Sequence, residues 1–205
     1  MDQILDISPP LSRRIAVWPG DRAFEPQWSM RIEDGASCNV GAVAMSLHTG
    51  AHADAPYHFL DDGAPIDAVA LERFVGPCTV IGLLGRESIE AVDVAAFAAR
   101  GRRLLVKTRQ ETDRSTFPER FAHFTPEAAE AVARAGVWLV GVDTPSVDEV
   151  DSKTLEAHKA LARGGVAILE GLDLTRVEPG DYELIALPLR LEGMDASPVR
   201  AVLRR

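Results

Sequence analysis

Residues 125–143 read TPEAAEAVARAGVWLVGVD, and the change of pattern inside them decides the fold class. Thr125 is placed as an N-cap, Pro126 takes the first helical position, Glu127 lies near the positive end of the helix dipole, and Gly136 ends the segment. The next seven residues, VWLVGVD, are an unbroken apolar run of strand length, the pattern of a strand buried on both faces. The same grammar extends in both directions. Upstream, CTVIGLL (78–84) and RLLVKT (103–108) read as strands around DVAAFAARG (93–101), a helix with a glycine stop. Downstream, KTLEAHKALARGG (153–165) reads as a helix and VAILEGL (166–172) as a buried strand. YELIALPLRL (182–191) and PVRAVLRR (198–205) read as closing strands. Alternation of this kind predicts an α/β fold, a mixed sheet with flanking helices. No linker, repeat or composition break divides the chain, so residues 1–205 are read as a single domain.

The first third lacks that alternation. ILDIS (4–8) reads as a short strand and PPLSRRIAVWPGD (9–21) as an ordered loop. FEPQWSMRIE (24–33) alternates, with Phe24, Pro26, Trp28, Met30 and Ile32 on one face. That period predicts a half-buried strand, and Pro26 puts it at the edge or start of a sheet. NVGAVAMSLH (39–48) comes next as a second strand, with Val43, Met45 and Leu47 on one face.

Composition narrows the function. A chain of 205 residues buries about 70% of the surface exposed when unfolded, enough for a sizeable core. A net charge of −9 argues against nucleic acid, whose phosphates demand clustered Lys and Arg. The apolar runs fall far short of the roughly 20 residues that cross a bilayer, and MDQILDISPPLSRR carries no apolar signal-peptide stretch. Cys38 and Cys78 lack CxxC spacing and read as free buried thiols in a reducing cytoplasm. These readings predict a cytoplasmic protein with no nucleic-acid or membrane partner.

Chemistry concentrates in HTGAHADAPYH (48–58), which holds three of the five histidines and an aspartate. His48, Gly50, His52, Asp54, Pro56 and His58 share one parity, and small residues fill most of the other. In a straight strand His48 and His52 would stand roughly 13 Å apart at about 3.3 Å per residue. That is too far for two parallel imidazoles to share an ion through bonds of about 2.0 Å. If both bind one metal, the chain bends between them, and Gly50 permits the bend. Pro56 similarly pre-sets the chain before His58. A single histidine is ordinarily a satisfied core or surface group, but three with an aspartate around a glycine and a proline point to metal. With His58 reserved for chemistry, the segment leaves an open site or needs ligands from elsewhere. His158, on the core-facing side of its helix, and Glu170, ending an apolar strand, are the candidates. A buried carboxylate is costly unless paired or bound to a cation; an arginine partner for Glu170 and a carbonyl-bonded core role for His158 are the alternatives. Asp143 reads as a structural turn or supporting group, His123 as a surface or loop residue. Arg13, Arg14 and Arg109 read as solvated, although each could meet a substrate carboxylate.

The segment resembles the HxGxHxDxPxH signature of the cyclase family of metal-dependent hydrolases, in the form carried by bacterial kynurenine formamidases. ILDIS, VWPGD (17–21), GVDTPSVD (141–148), AHKALARGG (157–165) and ILEGL (168–172) resemble that family's other blocks in order and spacing. The resemblance implies a swivelling β/α/β-type fold assembled as a homodimer. It implies that His48, His52 and Asp54 hold one zinc, that Asp54 also reaches a second zinc held by His158, and that Glu170 contacts both; manganese is the alternative metal. It further implies His58 as general acid/base and Trp18 as a pocket residue contacting an aromatic formamide substrate. The implied reaction is hydrolysis of N-formyl-L-kynurenine to L-kynurenine and formate. Opening of a cyclic amide such as isatin, and metal binding without turnover, are the alternatives. A serine or cysteine hydrolase has no support, for want of a GxSxG elbow or a cysteine near a histidine.

Overall fold

The computed structural model describes residues 4–97, 103–110 and 113–205. Strands β1 (Ile4–Asp6), β2 (Glu25–Met30), β3 (Val40–Ala44), β4 (His52–Asp54), β5 (Val75–Gly82) and β6 (Ser88–Ile89) precede helix α1 (Ala91–Ala95). Then come β7 (Arg103–Lys107), β8 (His123–Phe124), α2 (Pro126–Arg134), β9 (Leu139–Val142), α3 (Glu156–Arg163) and β10 (Ala167–Glu170). β11 (Gly180–Ile185), β12 (Ala196–Pro198) and β13 (Val202–Arg204) close the chain. Nine strands form one sheet in the order β1-β13-β11-β5-β7-β9-β10-β4-β12. The central β5, β7, β9 and β10 run parallel, and β11 and β4 pair antiparallel on either side. This is the mixed α/β sheet that the alternation predicts.

The parallel centre is buried on both faces, which is why its strands are unbroken apolar runs. Leu104 and Val106 of β7 pack with Phe124, Ala128 and Val132 on the helix side, whereas Leu105 packs with Leu139 and Leu169 on the other. The helices cover one face only. The opposite face closes by curling: Ala53, Val80, Leu184 and Leu203, from strands across the whole sheet, share one cluster. β12 sits at one edge and β13 next to the strand at the other, yet only residues 199–201 join them. The curl must therefore bring the two edges close together. Each large side chain fully buried in this core contributes about 1.5–3 kcal/mol.

Local signals set the helix ends. Thr125 Oγ1 accepts from the Ala128 backbone N–H at 3.2 Å, the N-cap expected of it. The helix expected over 93–101 starts earlier, at Ala91, because the Glu90 N–H donates to Asp93 Oδ2 at 2.9 Å in a capping box. It also ends sooner than expected, at Ala95, with Ala96 and Phe97 in a turn, and residues 98–101 lie outside the described residues.

Several expected strands differ. YELIALPLRL leaves the sheet after Ile185, ahead of Pro188, which has no N–H to give a ladder. PVRAVLRR divides between β12 and β13 where the chain crosses the curl. The stretch expected to be half-buried, β2, instead forms a separate two-stranded sheet with β3. Trp28 (57%), Met30 (43%) and Val43 (60%) of that hairpin are exposed, since the hairpin stands off the main core. His123, expected in a surface loop, is half-buried in β8, paired parallel with β6 and away from the histidine cluster. Of the two thiols expected to be buried, Cys78 is, whereas Cys38, between β2 and β3, is exposed.

Candidate metal centre

The histidine segment bends where its glycine allows. Gly50 has φ +69°, the left-handed conformation that favours glycine, and a Cβ there would also press on Leu11 Cδ2 at 2.7 Å. Beyond the bend, β4 sends Ala51, Ala53 and Ala55 into the core cluster and presents His52 and Asp54 on the other side, as the parity predicts. A short 3₁₀ turn over Pro56–His58 then folds the last histidine back. The result brings the ring of His48 within 4.9 Å of His52 and 4.2 Å of His58, centroid to centroid.

Strand pairing supplies the other half. β4 lies antiparallel to β10 with His52 opposite Glu170 and Asp54 opposite Ile168. Asp54 Oδ1 is 3.1 Å from His48 Nδ1 and 3.4 Å from His52 Nε2, while its Oδ2 is 3.3 Å from His158 Nε2. Glu170 Oε2 is 3.4 Å from His52 Nε2, and Oε1 is 3.3 Å from His158 Nε2. Each carboxylate thus offers one oxygen to either side, the donor arrangement of a site that bridges two cations. No arginine pairs with Glu170 among the described residues; its Oε1 accepts the Val147 N–H at 2.7 Å instead.

The cluster fits a metal by its unmet valences. His52 Nε2 and Asp54 Oδ1 are buried and find no hydrogen-bond partner, a costly state that a cation relieves. The far nitrogens of two rings are fixed: His52 Nδ1 donates to the Gly50 carbonyl at 2.9 Å, and His158 Nδ1 lies 2.6 Å from Asp148 Oδ2. A ring so held that gives up its second proton turns an Nε2 lone pair inward, the carbonyl- and carboxylate-backed histidine of metal sites. Ligand-capable atoms of His52, Asp54 and Glu170, and separately of His48, Asp54 and His58, lie within 4.8 Å of one another.

Electrostatics agree. Burial opposes charge on His48 and His52, but Asp195 and Asp54 raise His48 to about 9, and Asp54 and Glu170 raise His52 to about 10. Burial also works against ionising Asp54, yet the neighbouring histidines hold it well below the usual carboxylate range. The carboxylates demand positive charge, from protons or from a metal. His58 differs: burial dominates and pushes its pKa down.

Two acidic residues carry roles that the sequence did not signal. Asp148 backs His158 and also accepts the N–H groups of Ala157 (2.9 Å) and His158 (3.0 Å), so one carboxylate caps α3 and holds its histidine. Asp195 Oδ2 lies 2.9 Å from His48 Nε2 and 3.6 Å from His58 Nδ1. The pairing of β12 with β4 places it there, with Ala196 opposite Asp54. Asp143 is a turn residue as expected, accepting from Thr108 N, Thr108 Oγ1 and Arg109 N.

The cluster opens into a cavity of about 560 Å³ lined by His48, His52, His58, His158, Glu170 and Asp195, with Trp18 and Phe117 on its wall. Trp18 meets Phe117 edge-on, centroids 5.0 Å apart. Glu170, Asp143 and Arg109 all stand at or just beyond the carboxyl ends of the parallel strands β10, β9 and β7, where open α/β sheets bind ligands. The structure therefore brings together His48, His52, Asp54, His58, His158 and Glu170, and puts Trp18 in the same cavity.

A fold of this kind around a histidine–carboxylate cluster is that of metal-dependent hydrolases, and comparison with known proteins gives the family. The family model "Putative cyclase" matches residues 5–149, and the chain belongs to the cyclase family. It is similar to a structure described as a "potential metal-dependent hydrolase with cyclase activity", with 28% identity, a TM-score of 0.86, and coverage of 100% of this chain and 98% of that one. It is also similar to a "predicted metal-dependent hydrolase from Bacillus stearothermophilus", at 27% identity, TM-score 0.84, and 100% and 98% coverage. An isatin hydrolase bound to the product analogue thioisatinate shares the fold at 20% identity, TM-score 0.86, covering 100% of this chain and 92% of its own. Among the described residues no helix is long and apolar enough to cross a membrane.

Proposed function

We propose that this protein is a hydrolase of the cytoplasm that converts N-formyl-L-kynurenine to L-kynurenine and formate. In this reading His48, His52, Asp54, His158 and Glu170 hold divalent cations, two zinc ions in the first instance or manganese. The observation that carries it is a buried cluster with unmet ligand atoms that opens directly onto an aromatic-walled cavity beside a further histidine. A protein that merely stores metal has no use for such a cavity.

A bound divalent ion supplies Lewis-acid polarisation of a carbonyl and lowers the pKa of water to near neutrality. The remaining work falls to side chains. Trp18 and Phe117 stack against the aryl ring and hold the formamide toward the cluster. The leaving group is an aryl amine, poor as an anion, so nitrogen must be protonated as the C–N bond breaks. His58 accepts the proton of the attacking water and returns it to that nitrogen, a role worth about 10²–10⁴-fold. Burial supports this role by keeping its ring neutral and able to accept. Asp195 Oδ2, 3.6 Å from His58 Nδ1, is the nearest carboxylate to receive the ring once it has taken up that proton.

The exposed apolar side chains of the β2–β3 hairpin support a homodimer, since solvent is an unfavourable neighbour for Trp28 and Val43 together. Light scattering tests that assembly. The activity is tested by supplying zinc-loaded protein with N-formyl-L-kynurenine and, separately, isatin. Kynurenine release that stops on chelation and returns with zinc is the expected result. Opening of isatin without release of kynurenine would replace the formamidase reading with a cyclic-amide hydrolase.

A further inference from the structure

The cavity has a cationic wall that the proton transfers of hydrolysis do not use. Arg109 lies just after β7 and lines the cavity together with Arg114. The backbone N–H of Arg109 donates to Asp143 Oδ2 at 3.1 Å, but its guanidinium Nη2 is shut off from solvent with no hydrogen-bond partner. Asp143 takes three donors from Thr108 and Arg109 but makes no hydrogen bond to that Nη2. Arg114 spends Nη1 and Nη2 on the carbonyls of Gly171 (3.1 Å) and Leu172 (2.6 Å), leaving Nε buried and unmet. Asp113 accepts from Ser115, and Asp173 from Thr175. Among the described residues neither arginine forms an ion pair.

A guanidinium does not discharge in a protein, so it cannot escape burial by losing its proton. A half-buried guanidinium with an enclosed, unmet N–H beside a second guanidinium therefore favours an anionic partner. Its natural complement is a planar carboxylate, which matches the fork of donors. Burial pushes both arginines below their ordinary range and outweighs the opposing pull of the nearby Asp143 and Asp173 carboxylates. The rest of the cavity divides the ligand's other parts, with an aryl wall at Trp18 and Phe117 and a hydrolytic end at the histidine cluster.

We propose that Arg109, supported by Arg114, is the carboxylate-recognition residue of this cavity, which selects aryl amides carrying an anionic carboxylate over neutral ones. This rests on the reading of the cavity as an amide-hydrolase site and specifies the class of substrate that enters it.

The test compares zinc-loaded parent, R109Q and R109K on N-formyl-L-kynurenine and on formanilide, an aryl formamide without a carboxylate. The quantity read is the ratio of kcat/KM for the two. R109Q should lower that ratio about 10–100-fold, the worth of a hydrogen bond to a charged group, mostly through KM, and R109K should restore part of it. Damage to packing alone would reduce both substrates together, and an unchanged ratio overturns the proposal. If the parent hydrolyses neither formamide, the proposed reaction fails and binding decides the arginine separately. Calorimetric titration with 2-aminobenzoate and 2-aminobenzamide should then show a preference for the carboxylate that R109Q loses. No preference in the parent, or one that survives in R109Q because the metal takes the anion, overturns it.

Discussion

Asp148→Asn removes a negative charge from behind His158 while leaving an oxygen that still accepts a hydrogen bond. In the structure that carboxylate receives His158 Nδ1 at 2.6 Å and two backbone N–H groups at the start of α3. The substitution therefore acts on two properties to different degrees. The single asparagine oxygen can stay with His158, which turns the amide NH2 against the Ala157 N–H and leaves that donor unmet, so the unfolding free energy of the chelator-treated protein should fall by about 1 kcal/mol. Metal affinity should fall more, because loss of the partner behind a ligating histidine costs about 10–100-fold, or about 1.4–2.8 kcal/mol. Asp148→Ala should reproduce that loss and add about 2 kcal/mol of instability, since buried donors are then left unmet. The assays are competition for zinc against a chromophoric chelator and urea unfolding in the presence of chelator. Zinc affinity within twofold of the parent in Asp148→Asn would refute the argument. Equal losses in the two assays would also refute it, reducing Asp148 to a helix cap.

His58→Ala should keep metal and lose about 10²–10⁴-fold in turnover, measured by metal analysis beside kinetics; because His58 also lies within ligand reach of His48 and Asp54, loss of metal would reassign it as a ligand. Gly171→Ala should destabilise by more than about 2 kcal/mol in urea unfolding, since φ is +66° and the new Cβ would lie 2.1 Å from the Gly50 carbonyl oxygen. Leu169→Ala, at a fully buried position, should cost about 2–5 kcal/mol in the same assay. A thiol reagent should label exposed Cys38 and spare Cys78 until unfolding, because burial pushes the Cys78 thiol up to about 12.

Much of the fold and the metal cluster was legible because periodicity and burial speak the same language. VWLVGVD and VAILEGL announce strands buried on both faces, and β9 and β10 are those strands. The parity of HTGAHADAPYH separated His52 and Asp54 from the core alanines, and Gly50 marked the bend. Glu170 stood out because a carboxylate at the end of an apolar strand needs a reason. Asp148 and Asp195 carried no such signal. Each is an ordinary acidic residue in a loop, and its role arises only when α3 docks over the sheet or β12 pairs with β4. Trp28 and Met30 misled for the converse reason, since alternation reports that one face is apolar but not that this chain covers it. The curl was likewise invisible, because it depends on which strands become neighbours.

The register between β4 and β10 carries a consequence beyond placing ligands. His52 faces Glu170 across the ladder, and both neighbouring strands contribute to one electrostatic cluster. A slip of one residue would set Ala53 against Glu170 and turn His52 and Asp54, the proposed ligands of β4, into the apolar interior. A cation that needs both strands therefore reads their alignment as a key reads a lock. It rewards the single correct pairing of segments far apart in the chain and gives nothing to its neighbours. If the proposed ligands bind, loading with metal is in that sense a proofreading step for the sheet, and zinc present during refolding should suppress misregistered species rather than merely stabilise the finished fold.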